Sequence, residues 1–129
     1  MKTLTWDESL SVEVAEIDED HRRLVELFNL LSGALSEAAE PSLVDALLEE
    51  LICCTAWHFS HEERLMLQTN YPERESHTKE HQELIARVRE LQQSRETLQA
   101  EDVDFLEQWL TGHIFASDMV MGRYIAAAL

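Results

Sequence analysis

Four stretches of this chain place apolar residues at steps of three and four, and five of its six histidines stand in the same register as the leucines. In the first stretch His21 leads Leu24, Phe28, Leu31 and Leu35. In the second, Leu47, Leu51 and Cys54 precede His58, Glu62 and Leu65 on one stripe; in the third, His77 and His81 precede Leu84, Val88 and Leu91. The fourth carries Val103, Leu106, Leu110 and His113. Such spacing returns side chains to one face of an α-helix, and four such stripes can leave water only by packing on one another. The predicted fold is therefore all-α, an up-down-up-down four-helix bundle. Imidazoles at its core positions must be hydrogen-bonded or must bind metal.

The chain reads as one domain over 1–129, with helices over 18–38, 42–69, 73–94 and 102–118 and a short C-terminal tail. Residues 1–17 lack helical period, but Leu4, Trp6, Val12, Val14 and Ile17 alternate with polar residues, so this arm is expected to pack along the bundle. Asp18 and Asp102 are read as N-caps, Ser42 with Asp45 as a capping box, Asn70-Tyr71-Pro72 as a helix stop, and Gly122 as a break before the tail. Only three glycines and two prolines interrupt 129 residues, in keeping with a helical chain.

Ten Lys and Arg against 26 Asp and Glu give a net charge of −16, which repels phosphate backbones and anionic membrane surfaces. No nucleic-acid partner is expected. The acids are interspersed, as on a solvated bundle exterior. No apolar run approaches the roughly 20 residues of a membrane span, and the start MKTLTWDESL lacks the sections of a signal peptide, so the expected compartment is the cytoplasm. Cys53 and Cys54 are adjacent on a helix, a poor geometry for a mutual disulfide, and are read as small core or near-core residues.

His58 with Glu62, and His77 with His81, are each four apart, so each pair aims at one point. One such pair arises often by chance; two, in core register, with a further core histidine on each remaining helix, point to a buried metal site. His113 and Asp118 are five apart, roughly 140° in azimuth on a straight helix. They share a face only if the helix loosens, as in a π-type bulge, or if Asp118 lies near the helix end. Seven donors are too many for one zinc ion, and imidazoles with carboxylates suit iron or manganese. If both carboxylates and one solvent oxygen bridge two ions, an ion with three histidines is six-coordinate, and one with two histidines is five-coordinate and open to a small ligand.

Asp18-x-x-His21, His58-Phe59-x-x-Glu62-Glu63, Tyr71-Pro72 with His77-x-x-x-His81, and Trp109-Leu110-x-x-His113-Ile114-x-x-x-Asp118 together resemble the hemerythrins, in their bacterial single-domain form. The resemblance covers nearly the whole chain. It implies two irons with an oxo or hydroxo bridge: one on His77, His81 and His113, the other on His21 and His58, with Glu62 and Asp118 bridging. It also implies reversible binding of dioxygen at the open iron, in a pocket lined by Leu24, Phe59, Trp109, Leu110 and Ile114. The family often has a tyrosine three residues after the bridging aspartate, where this chain has Met121. A thioether cannot replace the phenol's hydrogen bond. Asp20 and Glu13 also depart from commoner residues.

The resemblance implies a carrier, store or deliverer of oxygen rather than an enzyme. No protein partner is named by the sequence, and a monomer is compatible with it. An alternative is a di-iron oxidase or peroxidase, although no Glu-x-x-His motif of oxygen-activating bundles is present; another is an oxygen or redox sensor acting through a partner. A third class, iron or zinc handling, gains nothing from the metalloprotease pattern, because Leu65 stands where the second histidine of His61-Glu62-x-x-His would fall. His61 itself lies about 60° off the ligand face by helix geometry and is read as peripheral.

Overall fold

A computed structural model describes residues 3–94 and 98–129; the side chains of Ser94, Ala100, His113 and Ile114 lie outside the described set. Among the described residues the chain is helical, with no strand. Helix α1 runs Ala15–Ser36, α2 Pro41–Thr69 and α3 Arg74–Ser94. A fourth long helix is continuous but changes pitch: α4 spans Ala100–Gln108, a π segment Trp109–Phe115, and α5 Ala116–Ala128. Helix α1 packs on α2 and α2 on α3, while the fourth helix leans on α1 through α4 and on α2 through α5.

Several helix ends differ from expectation for identifiable reasons. Helix α1 starts three residues before Asp18, which is not its cap: the Asp18 carboxylate accepts hydrogen bonds from Ser11 Oγ at 2.6 Å and Val12 N at 2.8 Å. The acid therefore ties down the arm. At α2, Pro41 occupies the first turn and the cap position, Glu40, makes no side-chain bond, so the Ser42–Asp45 box does not form; proline's fixed φ and missing N–H suit that position without a cap. At α4 the cap is Gln99, and Asp102 is its reciprocal partner three residues on, its carboxylate accepting from Gln99 N at 2.7 Å. Asn70 ends α2 as expected, in the left-handed conformation at φ 54. Gly122 breaks nothing, because α5 continues through it to Ala128.

The arm packs as expected. Leu4 and Trp6 lie against the cluster that holds Leu24, Phe28, Leu51, Leu106 and Leu110. Val12, Val14 and Ile17 belong to a second cluster, with Leu65, Met66, Tyr71, Met121 and Ile125. Following each helix, the buried stripe passes from one cluster to the other between Ile17 and Leu24, between Phe59 and Leu65, between Tyr71 and Leu84, and between Phe115 and Met121. His21, Glu62, the pair His77 and His81, and Asp118 fall in those four intervals. The polar layer is thus walled at both ends by apolar packing.

Candidate metal centre

His21, His58, Glu62, His77, His81 and Asp118 are all between 0% and 5% exposed. Three helices and α5 deliver them to one place. The i,i+4 spacing does the local work on α2 and α3. On the fourth helix the π segment does it: a π turn closes i to i+5, which is how the wide spacing that precedes Asp118 is absorbed in a helix that does not end there. His113 and Ile114 belong to this segment by backbone, and the expectations for their side chains lie outside the described residues.

The two carboxylates divide their oxygens. Asp118 turns Oδ2 toward His21 Nε2 at 3.0 Å and His58 Nε2 at 3.2 Å, and Oδ1 toward His77 Nε2 at 3.2 Å. Glu62 turns Oε2 toward His58 Nε2 at 3.0 Å, and Oε1 toward His81 Nε2 at 2.8 Å and His77 Nε2 at 3.3 Å. Two groups result, His21–His58–Glu62–Asp118 and Glu62–His77–His81–Asp118, sharing both acids. Within each, the candidate ligand atoms all lie within 4.8 Å of one another.

This arrangement fits a pair of cations better than a network of hydrogen bonds. Donors about 2.1 Å from an octahedral ion stand about 3.0 Å apart, close to the spacings seen. His21 Nε2 and His58 Nε2 face each other at 3.2 Å. Glu62 Oε2 and His81 Nε2 are buried and make no hydrogen bond among the described residues, although each has an opposite group within 3.0 Å. Buried polar atoms left this way cost about 1–3 kcal/mol each. Lone pairs directed at a shared ion rather than at each other produce such contacts, and the cysteine-free donor set suits iron or manganese.

Behind the inner nitrogens stand further carboxylates. His58 Nδ1 lies 3.2 Å from Asp20 Oδ2, and His81 Nδ1 lies 3.3 Å from Glu63 Oε2. Phe59 stacks flat on His81, centroids 3.8 Å apart, and Phe115 lies against the His21 ring at 4.8 Å. Without metal the cluster is an ion network. Burial alone would depress His58, but Glu62, Asp118 and Asp20 raise its pKa well above the usual imidazole value. Burial likewise opposes charge on His77, yet Asp118 and Glu62 push it up to about 10. Asp118 is held well below the carboxylate range: the contacts from His21, His58 and His77 override its burial.

The structure buries Leu24, Phe59, Trp109 and Leu110 in one apolar cluster. Met121, fully buried, joins the opposite cluster together with Tyr71, whose ring packs edge-on to His77 at 6.5 Å; Tyr124 donates its hydroxyl to the carbonyls of Thr69 and Asn70. Cys54 is half-buried and Cys53 exposed, so only the former matches the near-core expectation; the Cys53 thiol lies 3.4 Å from Glu49 Oε1 on the helix exterior. Asp20, His61, Glu63 and Phe115 received no site role from the sequence. A search for carboxylates next to the candidate ligands would have found Asp20, beside His21, and Glu63, beside Glu62; Phe115 becomes a neighbour of His21 in a helix whose pitch has changed.

Fold and site together define a helical-bundle protein with two buried histidine–carboxylate groups consistent with cation binding. The chain matches the family described as Hemerythrin HHE cation binding domain over residues 12–125, and it belongs to the hemerythrin family. It is 31% identical to a bacteriohemerythrin of Stenotrophomonas maltophilia over 132 residues, covering 100% of this chain and 86% of that protein. A bacteriohemerythrin of Pseudomonas paraeruginosa is 35% identical over 92% of this chain and 78% of its own length. A myohemerythrin of Sipunculus nudus is 34% identical over 88% of this chain and 86% of its own length. A hemerythrin crystal structure superposes with a TM-score of 0.87 at 24% identity, covering 97% of this chain and 99% of that one. No described helix is long and apolar enough to cross a membrane.

Proposed function

We propose that this chain binds dioxygen reversibly at a non-haem di-iron centre, as a carrier, store or local deliverer of oxygen, and is not an enzyme. The observation that carries the reading is the division of oxygens by Glu62 and Asp118 between two groups of histidines. His21 and His58 would hold one iron; His77, His81 and, from its spacing in the sequence, His113 would hold the other. With Glu62 and Asp118 placed between them, two irons held there would supply the two electrons that reversible binding of an oxygen molecule requires.

The chain's own residues supply the conditions for reversal. Leu24, Trp109 and Leu110 are buried in one apolar cluster; as the lining of the open side of the site they would keep bulk water and stray protons away. Asp20 and Glu63 fix the outer nitrogens of His58 and His81, leaving Nε2 of each to face inward. The histidine-rich donor set, with two carboxylates in place of the carboxylate-rich set of oxygen-activating bundles, favours binding over oxygenation.

The test is the visible spectrum of iron-loaded, reduced protein as oxygen is admitted and then purged with argon. A charge-transfer band that rises with oxygen and fades on purging is expected. Irreversible oxidation would favour an oxidase, a peroxidase or a redox sensor working through a partner. No iron-dependent band at all would overturn the metal assignment.

A further inference from the structure

We propose that His61 is a positioning residue: together with Asp20 it forms an arm that fixes His58 toward the ion that His58 would share with His21. The inference rests on the di-iron reading above and assigns a role to a histidine outside the ligand set. Asp20 lies on α1 immediately before His21, and one oxygen, Oδ2, takes both contacts: His61 Nδ1 at 2.6 Å and His58 Nδ1 at 3.2 Å. A carboxylate oxygen only accepts, so both imidazoles present N–H at Nδ1. For His58 this leaves Nε2 as the lone-pair nitrogen, and Nε2 is the atom that faces His21, Glu62 and Asp118.

The shorter of the two bonds belongs to His61, so His61 sets where the shared oxygen sits. His61 is itself restrained. Its ring meets the edge of Trp57 at 4.7 Å with an interplanar angle of 67°, and it is only 17% exposed although its neighbour Trp57 is 64% exposed. The arm therefore runs from the α2 surface across to α1 and back to a ligand on α2. Outer partners of ligand histidines set ring orientation and typically change metal affinity by about 10- to 100-fold.

The experiment compares extraction of iron by an excess of chelator from loaded wild type, His61→Phe, His61→Asn and Asp20→Asn, resolving the two ions as separate phases, beside thermal unfolding of each metal-free protein. His61→Phe keeps a ring for Trp57 and loses the donor; His61→Asn keeps an N–H near the place of Nδ1. One phase should quicken about 10-fold in His61→Phe and in Asp20→Asn, the lower end of the outer-partner effect, with the other phase unchanged and the wild-type rate restored in His61→Asn. Equal acceleration of both phases, or failure of Asn to restore the rate, would make His61 a general packing residue and overturn the proposal. Unchanged rates in both His61→Phe and Asp20→Asn would do the same. If His61→Phe fails to fold, Asp20→Asn and His61→Asn decide the matter by the same criterion. Wild type that retains no pair of irons would instead remove the di-iron reading, and this inference with it.

Discussion

Gly122 lies directly against the backbone of Val12: a Cβ there would stand 2.4 Å from the Val12 carbonyl oxygen and 2.6 Å from its Cβ. The arm cannot back away cheaply, because Val12 N is tied to Asp18 and its side chain is buried with Ile17 and Met121. Gly122→Ala should therefore destabilise the protein by about 1–3 kcal/mol, the usual cost of overpacking. Gly112, whose Cβ would meet nothing within 4 Å, is the control, and Gly112→Ala should be neutral or stabilising by up to about 1 kcal/mol. Urea unfolding of both variants gives the comparison; equal midpoints would show that the Val12 contact is not tight in solution.

A second hold on the arm is Asn29. Its side chain accepts from Leu4 N and donates to Leu4 O, both at 2.8 Å, in the manner of a strand partner. Arg22 covers the Trp6 ring at 4.1 Å a little further along. Asn29→Ala removes two hydrogen bonds worth about 0.5–1.5 kcal/mol each. Limited proteolysis should cut the first ten residues faster in this variant while the helices survive; an unchanged cleavage rate would mean that apolar packing alone holds the arm.

Acidity acts on the metal-free cluster in a definite sense. Asp118 is held well below its ordinary value of 3.8, so the stability it contributes is full above that pH and is lost on acidification through its folded value. His77 is raised from 6.5 to about 10, so its contribution is full below 6.5 and is lost as the pH climbs toward about 10. Chelator-treated protein should accordingly unfold at a lower guanidinium concentration at pH 9 than at pH 6. With His77 as a ligand, as proposed, iron would displace its proton, so loading should release protons and tighten over that same alkaline range. A flat unfolding midpoint between pH 6 and 9 would contradict the ion-network account.

The helical stripes and the burial of His21, His58, His77 and His81 were legible because both follow from one face: a residue in step with Leu24 or Leu51 is taken inside, whatever its polarity. The five-residue step to Asp118 demanded either a change of pitch or a helix end, and the π segment resolves it as the former. Helix ends were less legible, since a cap depends on what the incoming chain offers. Asp18 looks like a cap until Ser11 and Val12 claim its carboxylate, and Gly122 looks like a break until Val12 needs the space of its missing Cβ. His61 was hardest to place. Its azimuth on α2 is off the ligand face, and its importance comes from Asp20 on another helix, a relation that no reading of one helix at a time contains.

Glu62 has no exposed surface and touches histidines on both sides, so its loss should weaken both halves of the site at once. Glu62→Gln keeps size and one acceptor oxygen but replaces the other with an amide, which cannot ligate or balance the imidazolium charges. The expected result is iron content well below two per chain, with a deficit exceeding the roughly 10- to 100-fold affinity loss typical of outer partners. Retention of two irons by Glu62→Gln, measured by metal analysis after desalting, would rule out a bridging role for this carboxylate.

Leu110 tests the apolar wall separately from the ligands. It is fully buried in the cluster that also holds Leu24, Phe59 and Trp109, and it sits in the π segment just before the turn that carries Phe115 onto His21. Leu110→Ala removes three carbons, costs about 2–5 kcal/mol if the cavity does not collapse, and leaves space beside the histidine layer that water can reach from a loosened pitch. Iron content should stay at the wild-type level, because no donor atom is lost. The oxygenated form should decay faster, as water and protons gain access to the bound oxygen. A decay rate equal to wild type, in a variant whose stability has fallen by the cavity cost, would show that Leu110 serves packing alone and that the wall protecting the site is built from other residues.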